Sequence, residues 1–449
     1  MNRILVIGAG RSASSLIKIL LQQAGEQAWK ITVADANLDI AERKVKGHSS
    51  GVAIALDANN EQQRRTLISE HDLVISMLPA FMHVEVVKDC IALKTNVITP
   101  SYVSDEMKSL HEQAKAAGIW VLNEMGLDPG IDHMSAMKVL DHIRHIGGEI
   151  IGFESFTGGL VAPESDNNPW NYKFTWNPRN VVLAGQGGAV KFIQEGKYKY
   201  IPYHKLFRRT EIIRVPEYGK FEGYANRDSL KYRSIYGLND IPTIYRGTLR
   251  RPGFCKAWDL FIQLGMTDDA YQMEGVENMT HREFMNSFLA YNATDSVELK
   301  FKYYLGIHQD DEDLFDKVAW LGMFSDDLIG LDAGSPAQIL QHILEKKWTL
   351  APDDRDMIVM WHKFVYRLAG EEKQINSSMV MLGENNEDTA MSLTVGLPLA
   401  IVAKLILKGK IKRTGVELPI HPEVYGPVLE ELAQYGCQFN EQELTPDPH

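Results

Sequence analysis

The sequence predicts an α/β protein: an N-terminal doubly wound parallel sheet, then a mixed-sheet α+β region that carries a helical insertion. Three observations predict it. Over the first 125 residues, short apolar runs alternate with stretches of helical periodicity, the pattern of βαβ units around a parallel sheet. A glycine turn at Gly8–Gly10 separates the first apolar run from the first helical one. After about residue 147 the rhythm changes to glycine-punctuated, aromatic β pattern, and from Lys256 to helical periodicity.

The elements follow in order. Arg3–Ile7 predicts the first strand, and Ser12–Gln23, with Leu16, Ile19 and Leu20 at helical spacing, the first helix. Lys30–Ala34, Val52–Leu56, Leu73–Met77, Asn96–Thr99 and Trp120–Leu122 predict further strands, with helices over Met82–Leu93 and Asp105–Ala117. Right-handed crossovers wind such a series into a doubly wound sheet. Gly148–Gly159 and Val181–Ala189 are β-rich, and Trp170–Tyr245 is aromatic with few long helical patterns. A mixed or antiparallel sheet is expected there. Within the helical stretch to Lys347, the acidic Asp310–Asp316 is expected as a solvated loop or helix start. Strands are expected at Asp356–Trp361 and Ser377–Met381, flanking a turn at Ala369–Glu372. Helices are expected at Thr389–Lys408 and Val424–Tyr435.

Composition excludes several roles. Lys plus Arg number 47 against 59 Asp plus Glu, a net charge of −12. Nucleic acid and anionic membrane surfaces, which need a basic footprint, are not expected partners. Cys90, Cys255 and Cys437 fit neither zinc nor redox spacing and give no disulfide framework, so no metal is expected. No stretch approaches 18 uncharged apolar residues; the longest candidate, around Leu393–Leu407, contains Gly396, Pro398 and Lys404. With no leader-like N-terminus, a soluble cytoplasmic protein is expected.

Gly8-Ala9-Gly10-Arg11-Ser12-Ala13 is a G-x-G-x-x-A motif between a strand and a helix, the context a Rossmann dinucleotide fingerprint requires. Gly8 allows the tight turn, Gly10 the approach of a pyrophosphate, and Ala13 close helix–strand packing. Ser12 opens the helix whose free N–H groups face the anion. Asp35 ends the second strand, where a carboxylate accepts hydrogen bonds from ribose hydroxyls and repels a 2′-phosphate. NAD is therefore expected over NADP, with Arg11 as the rival determinant that would favour NADP. Asp57, Ala58, Ser76 and Thr99, at or beyond later strand ends, are expected on the cofactor side of the same crevice. Ser101 and Tyr102 either line it or cap a helix.

Asn123–His133 reads NEMGLDPGIDH, a rigid loop just past the last of these strands. It resembles a segment of the saccharopine dehydrogenases of the L-glutamate-forming type. Further motifs resemble that family in the same order: Ser101-Tyr102, Gly158-Gly159-Leu160 with Ala162-Pro163-Glu164, Tyr172-Lys173-Phe174-Thr175-Trp176, Tyr224-Ala225-Asn226-Arg227-Asp228-Ser229, Arg246-Gly247-Thr248-Leu249-Arg250 and Thr394-Val395-Gly396-Leu397-Pro398. Departures exist as well. Ala80 stands where the family often has Tyr, Pro100 replaces a small residue, and Val161 replaces a Pro.

The resemblance implies an NAD- or NADP-dependent oxidation of saccharopine, a secondary amine joining lysine to glutamate through three carboxylates. It implies that Ser101, Tyr102, Asp128, Arg227, Thr248, Leu249 and Arg250 bind this substrate. Leu127, Asp128, Pro129 and Gly130 also touch the cofactor, as does Asn177, at a position that is often Ser. Asp128 is the first candidate to stabilise the cationic amine; Tyr102, His83 and His133 are open candidates for proton transfer. Arg groups suit such a substrate because planar guanidinium forks hold carboxylates bidentately. The implied domains are 1–127 for the dinucleotide, 128–262 for the substrate, a helical insertion at 263–349, return strands at 350–390, and helices at 391–449 packed back on the first domain. A homodimer is the expected assembly. Two rival readings remain at this point: a related reductive-amination enzyme forming a carboxylated polyamine, and a non-catalytic dinucleotide sensor.

Overall fold

The computed structural model describes residues Met1–Pro446. The chain forms two compact units, Met1–Ile150 with Phe364–His449, and Ile151–Lys363. The strands in chain order are β1 (Asn2–Ile7), β2 (Trp29–Asp35), β3 (Gly51–Ala55), β4 (Leu73–Ser76), β5 (Asn96–Ile98), β6 (Trp120–Leu122), β7 (Glu149–Val161) and β8 (Val190–Gln194). There follow β9 (Lys197–Ile201), β10 (Thr210–Val215), β11 (Gly219–Ala225), β12 (Thr243–Arg250), β13 (Asp356–Leu368), β14 (Glu371–Leu382), β15 (Gly415–Glu417) and β16 (Asn440–Leu444). Strands β7 and β13 each run across a boundary between the units.

The first unit holds the expected doubly wound sheet, in the order β15-β6-β5-β4-β1-β2-β3. Every pairing in it is parallel. Leu5, Ile7, Val74, Val97 and Val121 form its core together with helix residues such as Val87. Strand order reverses at β1, flanked by β4 and β2, and this switch point sets where a ligand binds. Strand β15 was not expected: three residues, Gly-Val-Glu, are too few to show a period, and pairing with β6 defines them.

Helix Ala390–Leu407 is 18 residues long and, at mean hydropathy 2.0, apolar enough to cross a membrane by length and composition. Lys404 lies inside it, so the run does not reach 18 uncharged residues. In this fold 61% of it is buried, and it packs on helix Ser14–Gln27. The Ser15 N–H donates to Ser392 Oγ at 3.0 Å. A Cβ on Gly396 would lie 2.6 Å from Leu16 N, so glycine permits the two helices to touch.

In the second unit the sheet order is β10-β11-β12-β7-β13, with the β8–β9 hairpin attached at β12. β10–β11 and β11–β12 are antiparallel and β12–β7 is parallel, a mixed sheet as expected. Val181–Ala189 is not a strand. Asn177 caps a helix over Pro178–Val182, and the strand begins at Val190. An N-cap Asn followed by Pro at the first helical position is a start signal that outweighs two β-branched valines. The aromatic residues condense into one core in which Trp170, Tyr172, Phe254, Trp258, Phe261 and Trp348 are fully buried or nearly so. The acidic run starts a helix, Glu312–Trp320, where its carboxylates face the positive end of the helix dipole. β13 and β14 extend well beyond the expected segments, and their turn narrows to Ala369-Gly370, both with positive φ.

Candidate functional site

The glycine loop lies at the switch point of the first unit. The Gly8 N–H donates to Ala34 O and the Met77 N–H to Ile7 O, both at 2.8 Å. Gly8 has φ +100°, and a Cβ there would lie 2.9 Å from Met77 O, so only glycine fits. A Cβ on Gly10 would meet nothing within 4 Å, leaving open space over the loop. The turn Arg11–Ala13 has no side-chain cap, and it leads into helix Ser14–Gln27. Open space above Gly10 and uncapped N–H groups fit a dinucleotide pyrophosphate. Arg11 is exposed and Ala13 buried. Asp35 Oδ2 accepts the Ala9 N–H at 2.8 Å and Oδ1 the Asn37 N–H at 2.9 Å, which fixes its carboxylate at the end of β2. Asp57 Oδ1 accepts the Asn59 N–H at 3.0 Å, and Ala58 O accepts from Arg64 Nη1 at 2.7 Å; both shape the turn that follows β3.

His83 ties the ends of β4 and β5 together. It is 2% exposed. Its Nδ1 lies 2.9 Å from Ser76 Oγ, and its Nε2 lies 2.7 Å from Ser101 Oγ and 3.1 Å from Thr99 Oγ1. Burial lowers its pKa to about 4. An unfolded chain would protonate it near 6.5. Between those values the unfolded state binds a proton that the native state refuses. The His83 contribution to stability is complete above about pH 6.5 and is lost as pH falls toward 4. It should amount to about 2 kcal/mol between pH 7 and pH 5. Urea midpoints at the two pH values check this: His83→Gln should lose about that much of the wild-type pH dependence, and an unchanged dependence would contradict it.

Tyr102 and Asp128 come together. The Tyr102 hydroxyl donates to Asp128 Oδ1 at 2.8 Å, and both residues are half-buried. Asp128 precedes Pro129 through a cis peptide bond. Leu127 and Pro129 are buried beside it. Gly130 has φ +147°, and a Cβ there would fall 2.0 Å from Gly126 O, so the loop requires glycine. His133 is fully buried, with Nε2 2.6 Å from Glu124 Oε2. Glu124 Oε1 accepts the Val103 N–H at 2.9 Å.

The second unit holds the arginines. Arg250 is 4% exposed. Its guanidinium carbon lies 5.0, 5.8 and 5.3 Å from the ring centres of Tyr172, Tyr224 and Phe254. Its Nη1 donates to Leu249 O at 2.8 Å, and its Nε is buried without a hydrogen-bond partner. The Tyr172 hydroxyl is likewise buried without one, and burial pushes its pKa up to about 12. Thr248 faces Tyr224 across β11 and β12, and Leu249 is fully buried. Arg246 is buried against the Tyr232 ring at 4.0 Å. Arg227 is exposed, with a left-handed backbone at φ +52°. Asn177 is exposed, and its Oδ1 accepts the Arg179 N–H at 2.9 Å. Sequence reasoning assigned no role to Glu124 or Tyr172, although both lie in quoted motifs; nothing in the pattern separates a buried clamp from a loop residue. Among the described residues no group of three or more His, Cys, Asp or Glu is arranged to hold a metal ion.

Comparison with known proteins agrees with this geometry. Residues 4–122 match the family model of the saccharopine dehydrogenase NADP binding domain, and residues 126–437 that of the saccharopine dehydrogenase C-terminal domain. The chain is 34% identical to the NADP(+), L-glutamate-forming saccharopine dehydrogenase of Saccharomyces cerevisiae, covering 99% of this chain and 100% of that protein. It is 33% identical to the mitochondrial alpha-aminoadipic semialdehyde synthase of Bos taurus over 98% of this chain but 48% of that protein. The solved structure of the apo Saccharomyces cerevisiae enzyme superposes with a TM-score of 0.90 at 32% identity, covering 99% and 100% of the two chains. A homospermidine synthase from Legionella pneumophila shares the fold, with a TM-score of 0.55 at 10% identity over 98% of this chain and 91% of its own. The chain belongs to the saccharopine dehydrogenase family.

Proposed function

We propose that the protein is an L-glutamate-forming saccharopine dehydrogenase, converting saccharopine, oxidised dinucleotide and water into L-glutamate, 2-aminoadipate 6-semialdehyde and reduced dinucleotide. The observation that carries this reading is Arg250: a buried guanidinium with an unpartnered Nε needs an anion, and a substrate carboxylate supplies one. Arg227 is assigned a second carboxylate. A carboxylated polyamine would present fewer carboxylates and is not favoured.

A nicotinamide dinucleotide, held on the Gly8–Ala13 loop, would supply a hydride acceptor for the carbon on the lysine side of the amine. Asp128 places negative charge against the cationic amine and the iminium that replaces it. Tyr102 receives the amine proton as a phenolate, and the phenol so formed donates to Asp128 Oδ1 at 2.8 Å, which leaves the carboxylate ionised beside the iminium. His83 and His133 are buried and engaged, which favours Tyr102 over either as the proton-transfer residue. Water then adds to the imine carbon, and the carbinolamine collapses to amine and aldehyde. The assay is formation of reduced dinucleotide by purified protein with saccharopine. No turnover with either dinucleotide would refute the reading.

NAD is the proposed cofactor, although the matched family model and the yeast relative both carry NADP in their descriptions. Asp35 supports NAD, because its fixed carboxylate would repel a 2′-phosphate. Asp35→Ala should lower the ratio of NAD to NADP catalytic efficiency by at least about tenfold, the scale of one charge-assisted contact. A wild-type preference for NADP would move the assignment to Arg11.

A further inference from the structure

We infer that Glu124 is a positioning residue that sets the Tyr102–Asp128 pair. This rests on the proposed role of that pair.

Glu124 lies in the loop after β6 and is 2% exposed. It grips the segment after β5 at two points. The Glu124 N–H donates to Ser101 O at 3.1 Å, and Glu124 Oε1 accepts the Val103 N–H at 2.9 Å. Tyr102 is the residue between those points, so its backbone is held on both sides by one residue. Glu124 Oε2 is meanwhile anchored 2.6 Å from His133 Nε2, on the helix Ile131–His145 that begins just after Gly130. Asp128 lies in the short loop between Glu124 and that helix. The clamp therefore fixes, from one carboxylate, the strand-end segment bearing Tyr102 and the start of the helix that follows Asp128. An elongated phenol held at its backbone keeps its hydroxyl on Asp128 without a wide search, and misplacement by an ångström is costly in catalysis.

The backbone supports a positional role. Glu124 adopts φ +56°, a left-handed conformation uncommon for a residue with a side chain. A glycine would take it without cost. Glutamate at such a position is retained for what its side chain does.

The test uses the full-length protein with saturating dinucleotide. Glu124→Ala should lower kcat at least about tenfold, or about 1.4 kcal/mol of barrier. KM for saccharopine and the affinity for reduced dinucleotide should stay within about threefold, far less than one charge-assisted contact. Glu124→Gly gives the same loss while relaxing the backbone, so the effect survives if the alanine variant folds poorly. Glu124→Gln keeps an acceptor for Val103 and should recover most of kcat. Asp128→Asn and Tyr102→Phe are measured beside them. If those two lose activity while Glu124→Ala and Glu124→Gly keep kcat within about twofold, the positioning role is overturned. So it is if the Glu124 loss appears in KM or dinucleotide affinity rather than kcat. If Asp128→Asn and Tyr102→Phe are themselves at wild-type rate, the reading of the pair fails, and the positioning role falls with it.

Discussion

Arg250→Met raises the saccharopine dissociation constant by roughly 10- to 150-fold, the 1.5–3 kcal/mol of one lost charge-assisted hydrogen bond. Dinucleotide affinity, measured on the same sample, stays within about twofold, well under that loss. Methionine is chosen because it keeps an apolar stem among Tyr172, Tyr224 and Phe254, which surround the guanidinium at 5.0–5.8 Å. The change then removes charge and hydrogen-bond donors with little packing loss. Folding stability should not fall: a buried cation with an orphaned Nε costs desolvation that a thioether does not. Isothermal titration gives the affinities and thermal melting gives the stability. Loss of dinucleotide and saccharopine binding together, with a lowered melting temperature, would mean Arg250 braces the fold instead.

Asp128→Asn cuts kcat by at least about tenfold, equivalent to about 1.4 kcal/mol of barrier. The substitution preserves shape and leaves an oxygen for the Tyr102 hydroxyl, which now sits 2.8 Å from Oδ1. It removes only the negative charge. That charge matters most when the amine nitrogen is cationic and in the iminium that follows, so the loss belongs in kcat. Tyr102→Phe removes the proton acceptor and leaves the carboxylate, and its loss should be of similar size. Stopped-flow and steady-state rates across pH check both. A near wild-type rate for Asp128→Asn at every pH would sink the electrostatic role.

Much of this was legible in the sequence because the physics is local. Gly8, Gly10 and Ala13 announce the loop, since a tight turn beside a strand tolerates few residues. Alternation of β1 to β6 with helices announces the parallel sheet. What was not legible depends on partners distant in sequence. Strand β15 is three residues whose identity comes from pairing with β6. The helix Ala390–Leu407 is expected from its sequence, but the surface it packs on shows only when Gly396 is seen against Leu16. The roles of the histidines were equally hidden. In the chain His83 and His133 are open candidates for proton transfer beside Tyr102; their burial and their contacts to Ser101 and Glu124, which no local pattern announces, are what favour a bracing role. Val181–Ala189 reads as β from its β-branched residues, and the Asn177-Pro178 helix start overrides them.

Saccharopine has two bonds from its secondary nitrogen to oxidisable carbon, and the reaction proposed breaks only one of them. Oxidation on the lysine side releases L-glutamate and 2-aminoadipate 6-semialdehyde. Oxidation on the glutamate side releases lysine and 2-oxoglutarate. The decisive measurement incubates the purified protein with saccharopine and, in separate reactions, NAD and NADP, and quantifies all four compounds by mass spectrometry alongside reduced dinucleotide. The account predicts glutamate and the semialdehyde in equal amounts, matching the dinucleotide reduced, with no lysine formed. Lysine and 2-oxoglutarate in their place, or no product at all, would contradict it.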